Sequence, residues 1–186
     1  MADATDTIET GREMRPGMVR VWDPFVRIFH WSLVGLFAFA WATGDEWGKA
    51  HELAGYVIAG LVALRVIWGV VGPDHARFSD FVRSPGITLR FIADTARMKA
   101  KRYIGHNPAG GMMVLALLAM IAVIATTGYM MTTNAYWGVE WVEEVHEGAV
   151  NITLGLVVLH VAGVIFAGIE HKENLVKAMI TGWKRN

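Results

Sequence analysis

Four long runs along the chain carry almost no charge, and polar residues gather between them. The runs cover roughly Val26–Gly44, Glu52–Gly72, Gly110–Met131 and Ala149–Ile169. Each is near the ~20 residues that a helix needs to cross a bilayer core. Their apolar positions repeat with neither period 2 nor period 3.6, as in helices that are apolar on most sides. A soluble fold would have to bury all four, and 186 residues leave too little polar surface to cover them. The pattern predicts an all-α integral membrane four-helix bundle, with spans at about 26–44, 52–72, 110–131 and 149–169. A polar tail, 1–19, precedes this membrane domain, 20–186.

The connection between the second and third runs has a pattern of its own. In "SPGITLRFIADTARMKAKRY", Ser84 is an N-cap and Pro85 suits the first helical position. Ile87, Phe91, Ile92, Thr95 and Met98 then fall near one face. That predicts an amphipathic helix lying on the cytoplasmic membrane surface.

Basic residues choose an orientation. Arg12, Arg15, Arg20 and Arg27 precede the first run. Arg77, Arg83, Arg90, Arg97, Lys99, Lys101 and Arg102 lie between the second and third. Lys172, Lys177, Lys184 and Arg185 follow the fourth. Fifteen of the seventeen basic residues are thus on one side, which predicts cytoplasmic termini. The other side carries Lys49 alone against Asp45, Glu46, Glu52, Glu140, Glu143, Glu144 and Glu147. The first 25 residues lack the basic start and apolar core of a cleavable signal peptide. Net charge is zero, so no global field argues for nucleic acid. The absence of cysteine excludes disulfides, iron–sulfur clusters, thiolate zinc and covalently attached c-type haem.

Histidine then changes the picture. There are seven: His30, His51, His75, His106, His146, His160 and His171. His75, His106 and His171 fall outside the runs and read first as solvated or hydrogen-bonded surface groups. The other four lie in or at the ends of the runs, where an ionisable group is costly and marks function by default. His146 and His160 are fourteen positions apart, so they return to within ~40° of one direction and stand ~21 Å apart along a helix. They cannot share a metal ion, but they can serve two centres stacked across the membrane. Chain direction puts His30 and His160 at the inner level, and His51 and His146 at the outer. Span three has no histidine.

Two axial imidazoles from facing helices are what a low-spin haem iron takes. Zinc, with its four-ligand or open sites, fits two ligands per level poorly. A proton relay and plainly structural roles stay open beside haem. Arg65 follows His51 by fourteen residues and would lie at the inner level, as a counter-charge to haem propionates or snorkelling to headgroups. Trp68 suits either a ring-edge contact or the interfacial aromatic belt. Gly155 reads as a helix-packing glycine, and Gly163 also as room for a porphyrin.

"RVWDPFVRIFHW", "HELAGYV", "LRVIWG", "HARFSDFV", "GHNPAGG" and "HEGAVNITLGLVVLHVAGV" together resemble the bacterial cytochrome b561 family, over about Arg20 to Arg185. That family includes the b-type cytochrome subunits of nickel–iron hydrogenases. The resemblance implies a four-helix bundle holding two non-covalent b haems in the bacterial cytoplasmic (inner) membrane. Its ligating histidines, on span one, span two and twice on span four, match His30, His51, His146 and His160. It also implies electron exchange between the quinone pool, ubiquinone or menaquinone, and a redox partner such as a periplasmic cytochrome c or oxidoreductase subunit. Two alternatives come with it: a superoxide oxidase passing electrons to ubiquinone, and the cytochrome subunit of a hydrogenase. "GHNP", Gly105–Pro108, matches too, with no role derivable for His106.

Overall fold

The computed structural model describes residues 17–44 and 48–186. Arg12, Arg15, Asp45, Glu46 and most of the polar tail lie outside the described residues. The element order is β1 (Met18–Arg20), α1 (Pro24–Thr43), α2 (Gly48–Val71), α3 (Phe78–Phe81), α4 (Pro85–Ala96), α5 (Pro108–Met131), α6 (Glu140–Glu170), α7 (Leu175–Thr181) and β2 (Trp183–Arg185). The helices α1, α2, α5 and α6 are each long and apolar enough to cross a membrane.

Local chemistry sets their ends. Asp23 caps α1 by accepting from the Val26 amide at 3.1 Å, with Pro24 in the first turn. Asn107 does the same for α5 through the Gly110 amide at 2.7 Å, followed by Pro108. In both, the side-chain oxygen takes up an amide that has no partner inside the helix. The fourth apolar run begins at about 149, and its helix extends well before it. The helix begins at Glu140, so half of the expected acidic loop is helical. Glu140 and Glu143 sit in its first turn, where negative charge suits the helix dipole. At 31 residues α6 is about 46 Å long, well beyond a ~30 Å hydrocarbon layer.

The bundle is packed unevenly. α1 lies close against α2, α2 against α5, and α5 against α6. Among the described residues, α6 makes no comparable backbone approach to α1 or α2. The apolar core of Phe29, Ala54, Ile58, Val62, Leu118 and Ile121 fills the α1–α2–α5 side. Ile28, Val34, Leu53, Ile67, Val158, Leu159 and Ile169 point outward and stay exposed, as suits a surface whose solvent is lipid.

The end of the bundle rich in arginine and lysine, hereafter the basic end, is closed by a clasp that the sequence pattern does not reveal. β1 and β2 pair antiparallel, Met18 opposite Arg185 and Arg20 opposite Trp183. Glu173 receives Arg102 Nε at 2.9 Å and Lys184 Nζ at 3.2 Å. Burial pushes the Glu173 carboxyl up, but these two cations outweigh it and hold the group below its ordinary value. Gly182, at φ +87°, ends α7 in the left-handed region, and its carbonyl accepts from the Val21 and Trp22 amides. A Cβ there would stand 2.7 Å from the Trp22 carbonyl oxygen.

Helix α4 starts at the expected Ser84–Pro85, although the Ser84 side chain makes no capping hydrogen bond. The expected apolar face divides. Phe91 turns inward onto Tyr103, ring centroids 5.7 Å apart, while Ile87, Ile92 and Met98 remain exposed, with Leu89 beside them. The glycine readings divide as well. Nothing lies within 4 Å of a Cβ built on Gly155 or Gly163, so Gly155 packs against no helix.

Candidate functional site

The two pairs that depth alone suggested meet across the loosely packed side of the bundle. His30 on α1 and His160 on α6 have ring centroids 6.3 Å apart, with planes at 52°. His51 on α2 and His146 on α6 also stand at 6.3 Å, with planes at 68°. All four are half-buried. Between the two α6 histidines, Thr153 is fully buried and bonds the Ala149 carbonyl at 2.7 Å, so its hydroxyl is already used.

The separation has a simple meaning. A metal held between two imidazoles, with metal–nitrogen bonds of about 2 Å and ring centres about 1.1 Å further on, would separate their centroids by about 6.2 Å. Among the described residues no three His, Asp or Glu side chains converge on one point. Each pair therefore suits a metal that brings its remaining ligands with it, as a porphyrin does. The wide spacing of α6 from α1 and α2 leaves room for a flat group between the helices.

The pairs differ in what holds them. At the acidic end, His51 Nδ1 lies 2.8 Å from the Ala40 carbonyl, which can only accept, so this nitrogen is the N–H. His146 Nδ1 lies 3.0 Å from the Thr127 hydroxyl, which also bonds the Val123 carbonyl at 2.8 Å. Because the hydroxyl proton is directed to Val123, His146 Nδ1–H donates to the oxygen. Both Nε2 atoms are thereby left as lone-pair donors. Gly128 makes room here, since a Cβ would stand 3.2 Å from the His146 ring. Helix α5 thus contributes Thr127 and Gly128, which a search for ionisable residues passes over.

Among the described residues, the basic end shows no corresponding partners. His30 Nδ1 is buried without a hydrogen bond, and so are Arg65 Nη1, Trp68 Nε1, Arg27 Nε and His106 Nδ1. Arg65 is only 2 % exposed and does not snorkel. Its Nη2 donates to the Ala76 carbonyl at 3.1 Å, and its guanidinium lies over the Phe78 ring. Trp68 packs on Phe25 with centroids 4.8 Å apart. Arg65 Nη1, Trp68 Nε1 and Arg27 Nε are N–H donors, and buried donors without acceptors are rare and point to a missing acceptor. A carboxylate-bearing group set between α6 and α1 would supply one.

His106 overturns the surface reading. Its ring is held between Trp22 at 4.7 Å and Phe81 at 4.5 Å. Burial chiefly, with the nearby Arg65 and Lys184 cations adding to it, lowers it to about 3, so it is neutral. His75 is half-buried, and its backbone amide donates to Asp80 at 3.1 Å. His171 sits at the C-cap of α6, 3.9 Å from Glu170.

Comparison with known proteins agrees with this architecture. Two proteins each named "Probable Ni/Fe-hydrogenase B-type cytochrome subunit", from Azotobacter vinelandii and Azotobacter chroococcum mcd 1, are 25% identical to this chain over 161 residues. The match covers 73% of this chain and 67% of each relative. No solved structure matches. A family model described as prokaryotic cytochrome b561 matches residues 21–182, nearly the whole described length. The chain therefore belongs to the prokaryotic cytochrome b561 family, and is a membrane b-type cytochrome of electron transfer.

Proposed function

We propose that the protein holds two non-covalent b haems and carries electrons across the bacterial cytoplasmic membrane, between the quinone pool and a redox partner. His30 and His160 hold the haem at the basic end, and His51 and His146 the haem at the acidic end. The observation that carries this reading is the equal 6.3 Å separation of two imidazole pairs, each on facing helices. The fourteen-residue step along α6 sets the centres ~21 Å apart, most of the way across the hydrocarbon. When bound, haem supplies one-electron chemistry at iron. The protein holds the axial nitrogens, orients the rings and keeps water out. Arg65 and Trp68 offer N–H groups to the propionates of the basic-end haem.

The excess of Arg and Lys supports cytoplasmic termini. It also supports α4 lying on the cytoplasmic membrane surface, with Ile87, Leu89 and Ile92 toward lipid. Residues 20–186 form the membrane domain. The acidic end then faces the periplasm. There Glu140, Glu143, Glu144 and Glu147 oppose the single Lys49, a field that attracts a basic redox protein such as a cytochrome c and repels superoxide. The names of the two relatives favour a second reading of the partner: the membrane-embedded side of a hydrogenase.

A visible spectrum of the purified protein, with pyridine haemochrome quantitation, tests the core of the proposal. Two haems per chain and reducible Soret and alpha bands are expected. A colourless preparation from haem-replete cells overturns it. Affinity purification from native membranes separates a cytochrome c partner from a hydrogenase.

A further inference from the structure

Helix α4 lies against α5, the span that carries no histidine, and uses one side of itself to do so. Thr88 and Phe91 are buried on that side. Leu89, Ile92 and Ala96 project about 100° round the helix from them and stay exposed. Arg90 and Arg97 lie about 120° further round, within ~20° of one another and ~10 Å apart along the axis. The chain then turns at Met98, φ +54°, and runs through Lys99 and Lys101. This stretch is held in place. Phe91 packs on Tyr103, the Asp94 carbonyl accepts from the Arg97 and Lys99 amides at 3.1 and 2.9 Å, and the Ala100 amide donates to Glu170 at 3.0 Å. Between Ser84 and Arg102 there are five basic residues and a single acidic one, Asp94. Other cations at this end have carboxylates: Arg102 and Lys184 share Glu173, and Arg77 holds Asp74 and Asp80. Among the described residues, Arg90, Arg97, Lys99 and Lys101 take part in no ion pair, and all four are exposed.

We propose that α4 and the segment to Lys101 form a headgroup site for an anionic phospholipid. Leu89, Ile92 and Ala96 dip into the acyl layer. Arg90, Arg97, Lys99 and Lys101 donate to the phosphate above it, on stems long enough to keep their charges in the headgroup layer. A soluble anion offers the same phosphate chemistry, but it makes no use of the exposed leucine and isoleucine beside the cations. A lipid satisfies both at once. The pairing of basic side chains with an apolar helix side is what an anionic leaflet attracts. The site rests on the reading that α4 lies on the cytoplasmic membrane surface.

The purified holoprotein is titrated with phosphatidylglycerol or phosphatidylcholine, and native mass spectrometry reads the affinity of the first lipid bound. One variant carries Arg90→Gln, Arg97→Gln and Lys99→Gln. A second loses the same charge elsewhere at the basic end, through Arg20→Gln, Lys172→Gln and Lys177→Gln. Losing three charged donors predicts at least about a tenfold weaker binding of phosphatidylglycerol in the first variant. The second variant should bind it as the parent does, and phosphatidylcholine should bind weakly to all three. Equal loss in both variants, or no preference in the parent, overturns the site. So does inorganic phosphate that abolishes the preference at an ionic strength where chloride does not. Depth is read separately. The chain has no cysteine, so Ala96→Cys gives a unique place for a nitroxide, in vesicles of phosphatidylcholine and phosphatidylglycerol mixed three to one. Relaxation of the label by lipid-dissolved oxygen supports the surface placement of α4. Relaxation by a water-soluble nickel complex alone refutes that placement, and the site with it. A label in lipid without a headgroup preference refutes the site and leaves the placement standing.

Discussion

The two histidine pairs share a separation and differ in their support. At the acidic end, Ala40 and Thr127 fix each Nδ1, and Gly128 shapes the space around His146. The chain completes that site from its own atoms. At the basic end, among the described residues, His30 Nδ1 has no hydrogen-bond partner, and neither do the buried Arg65 Nη1, Trp68 Nε1, Arg27 Nε and His106 Nδ1. On the proposed reading, a haem bound there would complete that site. Hydrogen bonds to a ligand's far nitrogen set its tautomer and raise its basicity. The acidic-end imidazoles are therefore oriented in advance, and on the proposed dihaem reading the basic-end ones would take their final orientation from the bound group.

The largest effect that can break this comparison is loss of a ligand. Alanine at His160 should remove the basic-end haem and leave the other, and alanine at His146 should do the reverse. Pyridine haemochrome should fall by about half in each, and full haem content in either variant refutes the pairing. Arg65→Gln comes next. It removes the buried cation expected to face the propionates, so the basic-end haem should bind about 10–100-fold more weakly while the acidic-end haem is retained. Haem transfer to apomyoglobin reads this, and equal loss at both ends counts against the assignment. Thr127→Val sharpens the contrast from the other end. It keeps the shape but takes the acceptor from His146, making the imidazole less basic and the ferric state less favoured. Potentiometric titration should then show the acidic-end midpoint rising and the basic-end midpoint unchanged.

The smallest effect is in acid stability. His106 has its ordinary value of 6.5 when unfolded and about 3 when folded. As pH falls below 6.5 the unfolded chain takes a proton that the folded chain refuses, so stability drops. Glu173 works in the same direction, but its depressed carboxyl begins to count only below its ordinary 4.5. Between pH 6.5 and 4.5 the melting temperature of His106→Phe should decline less steeply than that of the parent. Parallel slopes would show that His106 titrates freely.

What the sequence disclosed follows from the cost of charge in an apolar run. His30, His160 and Arg65 stand out because they lie inside apolar runs, and His51 and His146 because they stand at the ends of two such runs, each fourteen residues from one of the inner group. Thr127 does not, since a threonine in a membrane helix ordinarily bonds its own backbone, and this one does that too. The first turns of α6 read as loop because glutamates interrupt hydropathy without interrupting helical hydrogen bonds. His106 read as surface because it precedes a span, and only the packing of Trp22 and Phe81 encloses it. Three-residue strands have no period to detect, so β1 and β2 were invisible.

The pairing of Met18–Arg20 with Trp183–Arg185 has a consequence for assembly. Its partners are separated by nearly the whole described chain, so their meeting carries a loop-closure cost that only prior structure between them can reduce. The strand pair forms late, after the spans have brought α1 and α7 side by side. Proteolytic protection near Met18 is therefore a reporter of completed assembly: a chain with its spans inserted but not yet docked is cut there, and a finished one is not.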